Sequence, residues 1–557
     1  MVQQLRLRER AVEAKGVVYT KPWVVDLILD LVGYRADRDL ASLVAVEPAA
    51  GEGAFLVPMV RRLLESLRRT GRPLTDAKGA LLAYELNAEA AAWARQLVIS
   101  ELTASGVSAT TAARTAKGWV IEGDYLLTPA AGAGADLVVG NPPYIRYDDL
   151  PAELYALYRA ACPTMVGRCD VYVGFIEAGL RQLKPGGHLG FICADRWMRS
   201  AYGSELRRFV ADNASVEVVI EMHNADAFKD AVAAYPAVTV LRHSPQGSPV
   251  VGTVDAWATL TPQLAAQSDL TLADSVIALA DKRIPTVPGI KAARLAGWYG
   301  GDVPWPWAEP EILDLIRRLE ADHRPLEDES TGTRIGIGVA TGADQVFITT
   351  DAEAAEPDRL LPLAMAADTR DGTVAWSGHY LVDPWSTDGR LVDLGDYPRL
   401  AAYFDAHRDG LVKRHIAGRQ PERWYRTIDR VLHSLHGREK LYFPDMKLQA
   451  HPVLDRGETY PHHNLYYVVS DVWDLEVLGG LLLSEIAEMF VASYCVKMQG
   501  GTLRFQAQYL RRIRVPDPGS IAKTVQQDLR GAFRRRDRAA ATQAARAAYR
   551  IDGPSVR

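Results

Sequence analysis

Asp136-Leu137-Val138-Val139-Gly140-Asn141-Pro142-Pro143-Tyr144 decides how this chain is read. The run from Asp136 to Gly140 has the pattern of a buried strand. An Asn at such a strand end carries its amide into the crevice where open α/β sheets bind ligands. Pro142 has no backbone N–H, and the paired prolines restrict the loop so that carbonyls face the crevice. Tyr144 adds a flat ring. Asn141, Pro142 and Tyr144 together suit a planar base bearing an amino group: two oxygen acceptors for its N–H donors and an aromatic face for stacking. Prolines after a strand are usually only a turn, so this reading depends on what lies upstream.

Outward from that stretch, apolar runs alternate with amphipathic ones from Leu43 to about His243. Leu43–Glu47, Leu81–Glu85, Trp119–Glu122, Asp136–Gly140, His188–Cys193, Val216–Glu221 and Ala237–Leu241 read as strands. Helical patterns such as Phe55–Leu67 and Ala88–Leu102 separate the first of them. The alternation predicts an α/β fold, a parallel, doubly wound sheet with helices on both faces. Glu47-Pro48-Ala49-Ala50-Gly51-Glu52-Gly53 joins the first strand to a helix, and its glycines permit a tight turn and close approach of a ligand. Glu85 ends the second strand, where a carboxylate suits a ribose diol. Asp124, before Tyr125, follows the third, where it can accept from an adenine amino group. Gly53 is followed by Ala54-Phe55-Leu56, so the dinucleotide fingerprint is absent, and there is no Walker lysine. An acid after each of three strands suits an adenosine ligand with an amino group and repels a polyphosphate.

The chain has 557 residues, enough for two or three domains, with 48% hydrophobic and 24% charged residues. A net charge of −5 excludes a global basic field, so any nucleic-acid surface must be local. The four cysteines, Cys162, Cys169, Cys193 and Cys495, form no C-x-x-C pair, which points to neither zinc nor disulfides and fits a reduced cytoplasm. Met1 to Lys15 has no apolar core of a signal peptide. Leu475 to Val496 is the most apolar stretch, and Glu485 and Glu488 mark it as a core helix rather than a membrane span. Ser244-Pro245-Gln246-Gly247-Ser248-Pro249 reads as a domain joint. The expected organisation is a catalytic domain over 1–245, an α+β recognition domain over 250–520 and a basic helical tail over 521–557.

The ordered series of motifs over about 16–245 resembles the gamma-class adenine-specific DNA methyltransferases, which use S-adenosylmethionine. The resemblance implies a Rossmann-like methyltransferase domain followed by an α+β DNA-recognition domain. It implies that Gly16-Val17-Val18-Tyr19-Thr20-Lys21-Pro22 closes over the methionine part of the cofactor. Glu47 then lies near the cofactor's amino group, Glu85 on its ribose and Asp124 on its adenine amine, with Thr20, Gly51, Gly53 and Tyr125 completing the site. Asp170-Val171-Tyr172-Val173-Gly174-Phe175 is similar to a later motif that lines the pocket. Ala50 and Glu52 stand where Cys or Ser is common. Phe228 is the expected partner of Tyr144 in sandwiching the target base, with Tyr235 as its competitor.

Methylating one adenine selectively also needs base-edge readout. The basic stretch with Arg414, Arg419, Arg423, Arg426, Arg430 and Lys440, interleaved with Trp424 and Tyr425, is the expected DNA-binding region. Gly336 to Phe347, Leu441 to Lys447 and Gly500 to Phe505 resemble parts of a target-recognition domain, and Arg534-Arg535-Arg536 is a further candidate for the DNA backbone. Asp445 and Lys447 lack the further acid of a nuclease site, so the expectation is a modification enzyme alone, with any restriction endonuclease encoded separately. The expected partners are double-stranded DNA and such an endonuclease or other defence proteins, and a monomer is expected. The rival readings are methylation of protein glutamine, RNA or N4-cytosine, and a non-catalytic recognition subunit of a defence complex.

Overall fold

A computed structural model of the chain describes residues 19–128, 134–229, 235–255, 270–495 and 502–551. Of the expected motifs, Gly16-Val17-Val18 and Gly500-Gly501 lie outside the described residues, as does the segment Met1 to Lys15. The chain divides into two units, Met1–Glu311 and Ile312–Arg557.

The first unit is built on a nine-stranded sheet of order β3-β2-β1-β4-β5-β7-β6-β8-β9. Its strands are β1 (Ala45–Glu47), β2 (Leu81–Glu85), β3 (Val120–Glu122), β4 (Ala135–Gly140), β5 (Leu183–Ala194), β6 (Ser215–Glu221), β7 (Pro236–Arg242), β8 (Val250–Val254) and β9 (Ile290–Arg294). β1 to β5 pair in parallel. Successive strand residues feed opposite cores, as a period of two requires. Ala45, Leu137 and Val139 join one core with α1 (Pro22–Leu31), α2 (Leu56–Thr70), α3 (Ala88–Ala104), α4 (Ala109–Trp119) and α8 (Leu272–Ala280). Val46 and Val138 join the other with α5 (Ala152–Ala161), α6 (Tyr172–Gln182) and α7 (Ser204–Asn213). Local chemistry starts and stops these helices: Asn87 accepts the N–H groups of Glu89 and Ala90 at the head of α3, and Gly71 (φ 69°) ends α2 in the left-handed conformation.

Two expectations are corrected here. β7 runs antiparallel between β5 and β6 instead of extending a parallel sheet. The link from β6 to β7, residues 222–235, contains no crossover helix among its described residues, and a parallel pairing needs such a crossover. Ser244 to Pro249 is not a domain joint either. It is a turn from which β8 re-enters the same sheet parallel to β6, and the Gln246 side chain accepts the Val216 N–H at 3.0 Å.

The second unit holds two four-stranded sheets. One is antiparallel, in the order Arg334–Ile337, Leu465–Val469, Lys440–Pro444, Val453–Asp455. The other orders Ile348–Thr349, Tyr380–Val382, Leu360–Ala364, Tyr460–Pro461. Gly336 and Gly338 have no room for a Cβ, which would fall 2.3 Å from the Tyr467 ring and 2.2 Å from the His462 carbonyl oxygen respectively. Met446–Lys447 pairs with Leu503–Arg504, so two of the expected recognition motifs meet. The apolar stretch from Leu475 is two helices, Leu475–Leu483 and Glu485–Tyr494, because Ser484 breaks the first and caps the second. The expected separate tail is also corrected. Helices Lys523–Arg535 and Arg538–Tyr549 belong to the core of this unit, and Gly480 lies so near Leu529 that a Cβ would be 2.5 Å from its carbonyl oxygen. Among the described residues no helix is long and apolar enough to cross a membrane.

Candidate active site

The order β3-β2-β1-β4 reverses the direction of strand addition at β1 and β4, and ligands of open α/β sheets bind at such a switch point. A cleft of about 430 Å³ lies there. Thr20, Glu47, Gly51, Glu85, Asp124, Tyr125, Asn141 and Pro142 all line it. Gly53 does not. It shapes the turn at φ 83°, where a Cβ would meet Leu97 at 2.8 Å.

Each acid has a different environment. Glu47, at the end of β1, is 1% exposed, and its Oε2 is buried without a hydrogen-bond partner. Burial and the neighbouring Glu85 hold its carboxyl well above the usual carboxylate range. Glu85 accepts the Gly51 N–H at 2.7 Å and the Asn87 N–H at 2.9 Å, so it ties the glycine turn to the end of β2. Asp124 accepts from the Tyr158 hydroxyl at 2.8 Å and from the Leu126 N–H at 2.9 Å. Burial raises its pKa despite those bonds. The Tyr125 hydroxyl donates to Gln182 at 2.8 Å, leaving its ring in the cleft wall beside Phe175 at 5.5 Å.

Asn141 follows β4, and its Nδ2 donates to the Thr20 hydroxyl at 3.1 Å. Thr20 is itself held by backbone pairing with Phe228, flanked by Lys21 N–H to Ala227 O and Lys229 N–H to Tyr19 O, both 2.9 Å. The upstream segment and the loop after β6 are therefore knitted together around the Asn141 amide. Tyr144 lies outside the cleft lining, with the Phe228 ring edge-on at 6.1 Å. Tyr235 instead packs on the His223 ring at 4.7 Å. His223 is held between Asp195 and Glu221, a cluster that sequence reading missed because Asp195 lies 28 residues before His223. Tyr158, 34 residues from Asp124, was missed for the same reason, whereas Tyr19, whose hydroxyl donates to Glu52 at 2.7 Å, lies in the upstream segment expected to close over the cofactor.

The six expected DNA-binding cations separate. Arg419 and Arg430 are exposed. Arg423 and Arg426 are half-buried, both donate to Gln420, and with Arg430 they lie 5.6–5.9 Å from the Trp385 ring. Arg414 donates to the carbonyl oxygens of Trp424 and Arg426, each at 2.8 Å, so it braces the loop instead of facing solvent. Lys440 is fully buried, paired with Asp455 at 2.7 Å, which removes it from any surface. Arg534 pairs with Glu476, Arg536 turns under onto Pro452 and His451, and Asp445 is held by Arg504.

A family model described as Eco57I restriction-modification methylase matches residues 91–228. The chain is 42% identical to the type II methyltransferase M.PaeR7I of Pseudomonas aeruginosa, over 98% of this chain and 93% of that protein. It is 40% identical to M.XhoI of Xanthomonas vasicola over 97% of both, and 38% identical to M.BstVI of Geobacillus stearothermophilus over 92% of both. Among solved structures, the type IIL restriction-modification enzyme MmeI in complex with DNA has the same fold, with a TM-score of 0.52 and 12% identity over 96% of this chain and 75% of that one. The cofactor is S-adenosylmethionine, and the residues fit it: the orphaned Glu47 carboxylate oxygen suits a cationic donor, and among the described residues no lysine lines the cleft. By descent along its whole length, the chain belongs to the type II methyltransferases of restriction-modification systems.

Proposed function

We propose that this enzyme methylates the exocyclic N6 amine of an adenine flipped out of a specific duplex DNA sequence. In the bound state S-adenosylmethionine supplies an electrophilic methyl group on a sulfonium centre. Glu47 binds its amino group, Glu85 its ribose hydroxyls and Asp124 its adenine amine. The observation that carries the reading is the Asn141 amide, fixed by its bond to Thr20 between the acid-lined cleft and the Tyr144–Phe228 aromatic pair.

An adenine amine is a poor nucleophile because its lone pair is delocalised into the ring. Thr20 takes the amide nitrogen, which leaves Asn141 Oδ1 as the end that accepts from the substrate. Acceptance by Asn141 Oδ1 and the Pro142 carbonyl draws both N–H bonds aside, makes the lone pair available and stabilises the positive charge that develops on nitrogen. No strong base is needed before attack. Flipping costs roughly a few kcal/mol. Stacking on Tyr144, at about 1–3 kcal/mol per base, offsets part of it, with Phe228, edge-on to that ring at 6.1 Å, turning aside to admit the base.

Site choice belongs to the second unit, through the exposed Arg419 and Arg430 and the half-buried Arg423 and Arg426. We assign the enzyme to the cytoplasm as a monomer acting beside a separately encoded endonuclease. The test is to express the chain in a methylation-free host, digest the DNA and identify the modified nucleoside. N6-methyladenine at one recurring sequence supports the reading. N4-methylcytosine, or labelled methyl in protein or RNA but not in duplex DNA, overturns it.

A further inference from the structure

Asp344, His462 and His463 lie in the second unit, and one donor atom from each falls within 4.8 Å of the others. The sequence hides this grouping, because Asp344 and His462 are 118 residues apart. Asp344 Oδ2 stands 3.3 Å from His462 Nε2. That is long for an N–H···O bond, whose usual length is about 2.9–3.0 Å. It matches the edge of a tetrahedron with metal–ligand bonds of about 2.0–2.1 Å, which is about 3.3–3.4 Å. His462 is 3% exposed, so its imidazole is held out of water beside the Asp344 carboxylate. The second oxygen of Asp344 accepts from the Thr341 hydroxyl, the kind of outer bond that orients a carboxylate ligand. The His462 and His463 rings lie 4.0 Å apart, and His463 is exposed, which leaves a path from solvent.

We propose that Asp344, His462 and His463 form a divalent transition-metal site. Two imidazoles and one carboxylate suit Zn²⁺, Co²⁺ or Ni²⁺, with water completing the shell, and do not suit Mg²⁺ or Ca²⁺, which take sets of oxygens. The site clasps two segments. Val339 N–H donates to Pro461 O at 2.9 Å and His463 N–H to Val339 O at 3.1 Å. The next residues hold the arginine-bearing loop: Ala340 N–H donates to Asp429 Oδ2 at 2.9 Å, and Ile428 N–H to Thr341 O at 3.2 Å. The ion is thus a structural pin at the base of residues 426–430, and it has no part in methyl transfer.

The experiment uses the untagged full-length protein, stripped with chelator and titrated with Co²⁺. Visible absorption bands that saturate at one equivalent and vanish when Zn²⁺ is added are expected, together with a rise in melting temperature on Zn²⁺ addition. Asp344→Asn and His463→Ala, both at exposed positions, should keep the metal-free melting temperature and lose both responses. Absence of a saturable band at micromolar protein, or a band and a Zn²⁺ shift unchanged in both variants, overturns the proposal. Neither readout depends on DNA or on methylation.

Discussion

Glu47, Glu85 and Asp124 keep the places that strand order assigns them, whereas the cations from Arg414 to Lys440 divide between core and surface. The difference is physical. Parallel strands in register deliver the residues at and just beyond their C-terminal ends to one edge of the sheet, so a short acidic side chain there has little choice of direction. Arginine and lysine have long reach, and on irregular chain they go to whatever acceptors the tertiary fold supplies. Arg414 finds carbonyl oxygens and Lys440 finds Asp455, while Arg419 and Arg430 remain outside. Position along the chain therefore predicts place in the first unit and only composition in the second.

Lys440→Met tests that division most severely. It leaves Asp455 buried without its cation, which should destabilise the protein by about 3–5 kcal/mol. Urea unfolding of the full chain measures this. A DNA-contacting lysine would instead leave the unfolding midpoint unchanged and weaken DNA binding. Asn141→Ala comes next and probes the first unit. Losing one acceptor for the developing charge should lower kcat by about 10²–10³ or more, equivalent to about 2.7–4 kcal/mol. Calorimetry should show S-adenosylmethionine binding retained, since Glu47, Glu85 and Asp124, the acids proposed to hold it, are untouched. Near-normal turnover would remove Asn141 from the chemistry.

Glu47→Gln sharpens the contrast between buried and exposed charge. Removing a charged acceptor should weaken S-adenosylmethionine binding by about 1.5–3 kcal/mol, roughly 10–150-fold. The pH dependence has a definite sign. Burial and Glu85 raise the pKa of Glu47 in the cofactor-free protein, and a cation beside it favours the ionised form and brings that pKa down. Binding then releases a proton between the two values, so affinity rises with pH through that window and levels off above the higher one. Titrations in buffers of different ionisation heat measure the proton release. Glu47→Gln should abolish it, and pH-independent affinity in the native protein would show that Glu47 is not at the cofactor's amino group.

The catalytic half was legible because its signals are local: an apolar run, a glycine turn, an acid at a strand end. The antiparallel insertion of β7 was not, since its apolar residues read the same in either direction and only the link after β6, without a helix among its described residues, decides the pairing. Ser244 to Pro249 carries every mark of a linker, yet β8 finds its hydrogen-bond partners in β6, and composition does not encode that long-range register. Choosing Phe228 over Tyr235 beside Tyr144 likewise rests on the pairing of Thr20 with Phe228, across two segments far apart in sequence.

The smallest effect separates the arginines from one another. Arg423 and Arg426 share Gln420 and crowd the Trp385 ring, so replacing both with Ala disturbs loop packing as well as charge. Arg419 and Arg430 are exposed, and an alanine at either should change stability by no more than about 0.5 kcal/mol. If both touch phosphate, the double variant lowers the slope of log affinity against log salt by about 0.9 per contact, and affinity falls alike for target and unrelated duplexes. If either reads a base edge, affinity for the target sequence falls by about 1–3 kcal/mol while non-specific binding changes little. Fluorescence anisotropy over a salt series with both duplexes distinguishes the two roles. A slope and affinity unchanged in the double variant would place the DNA-facing surface of the second unit elsewhere.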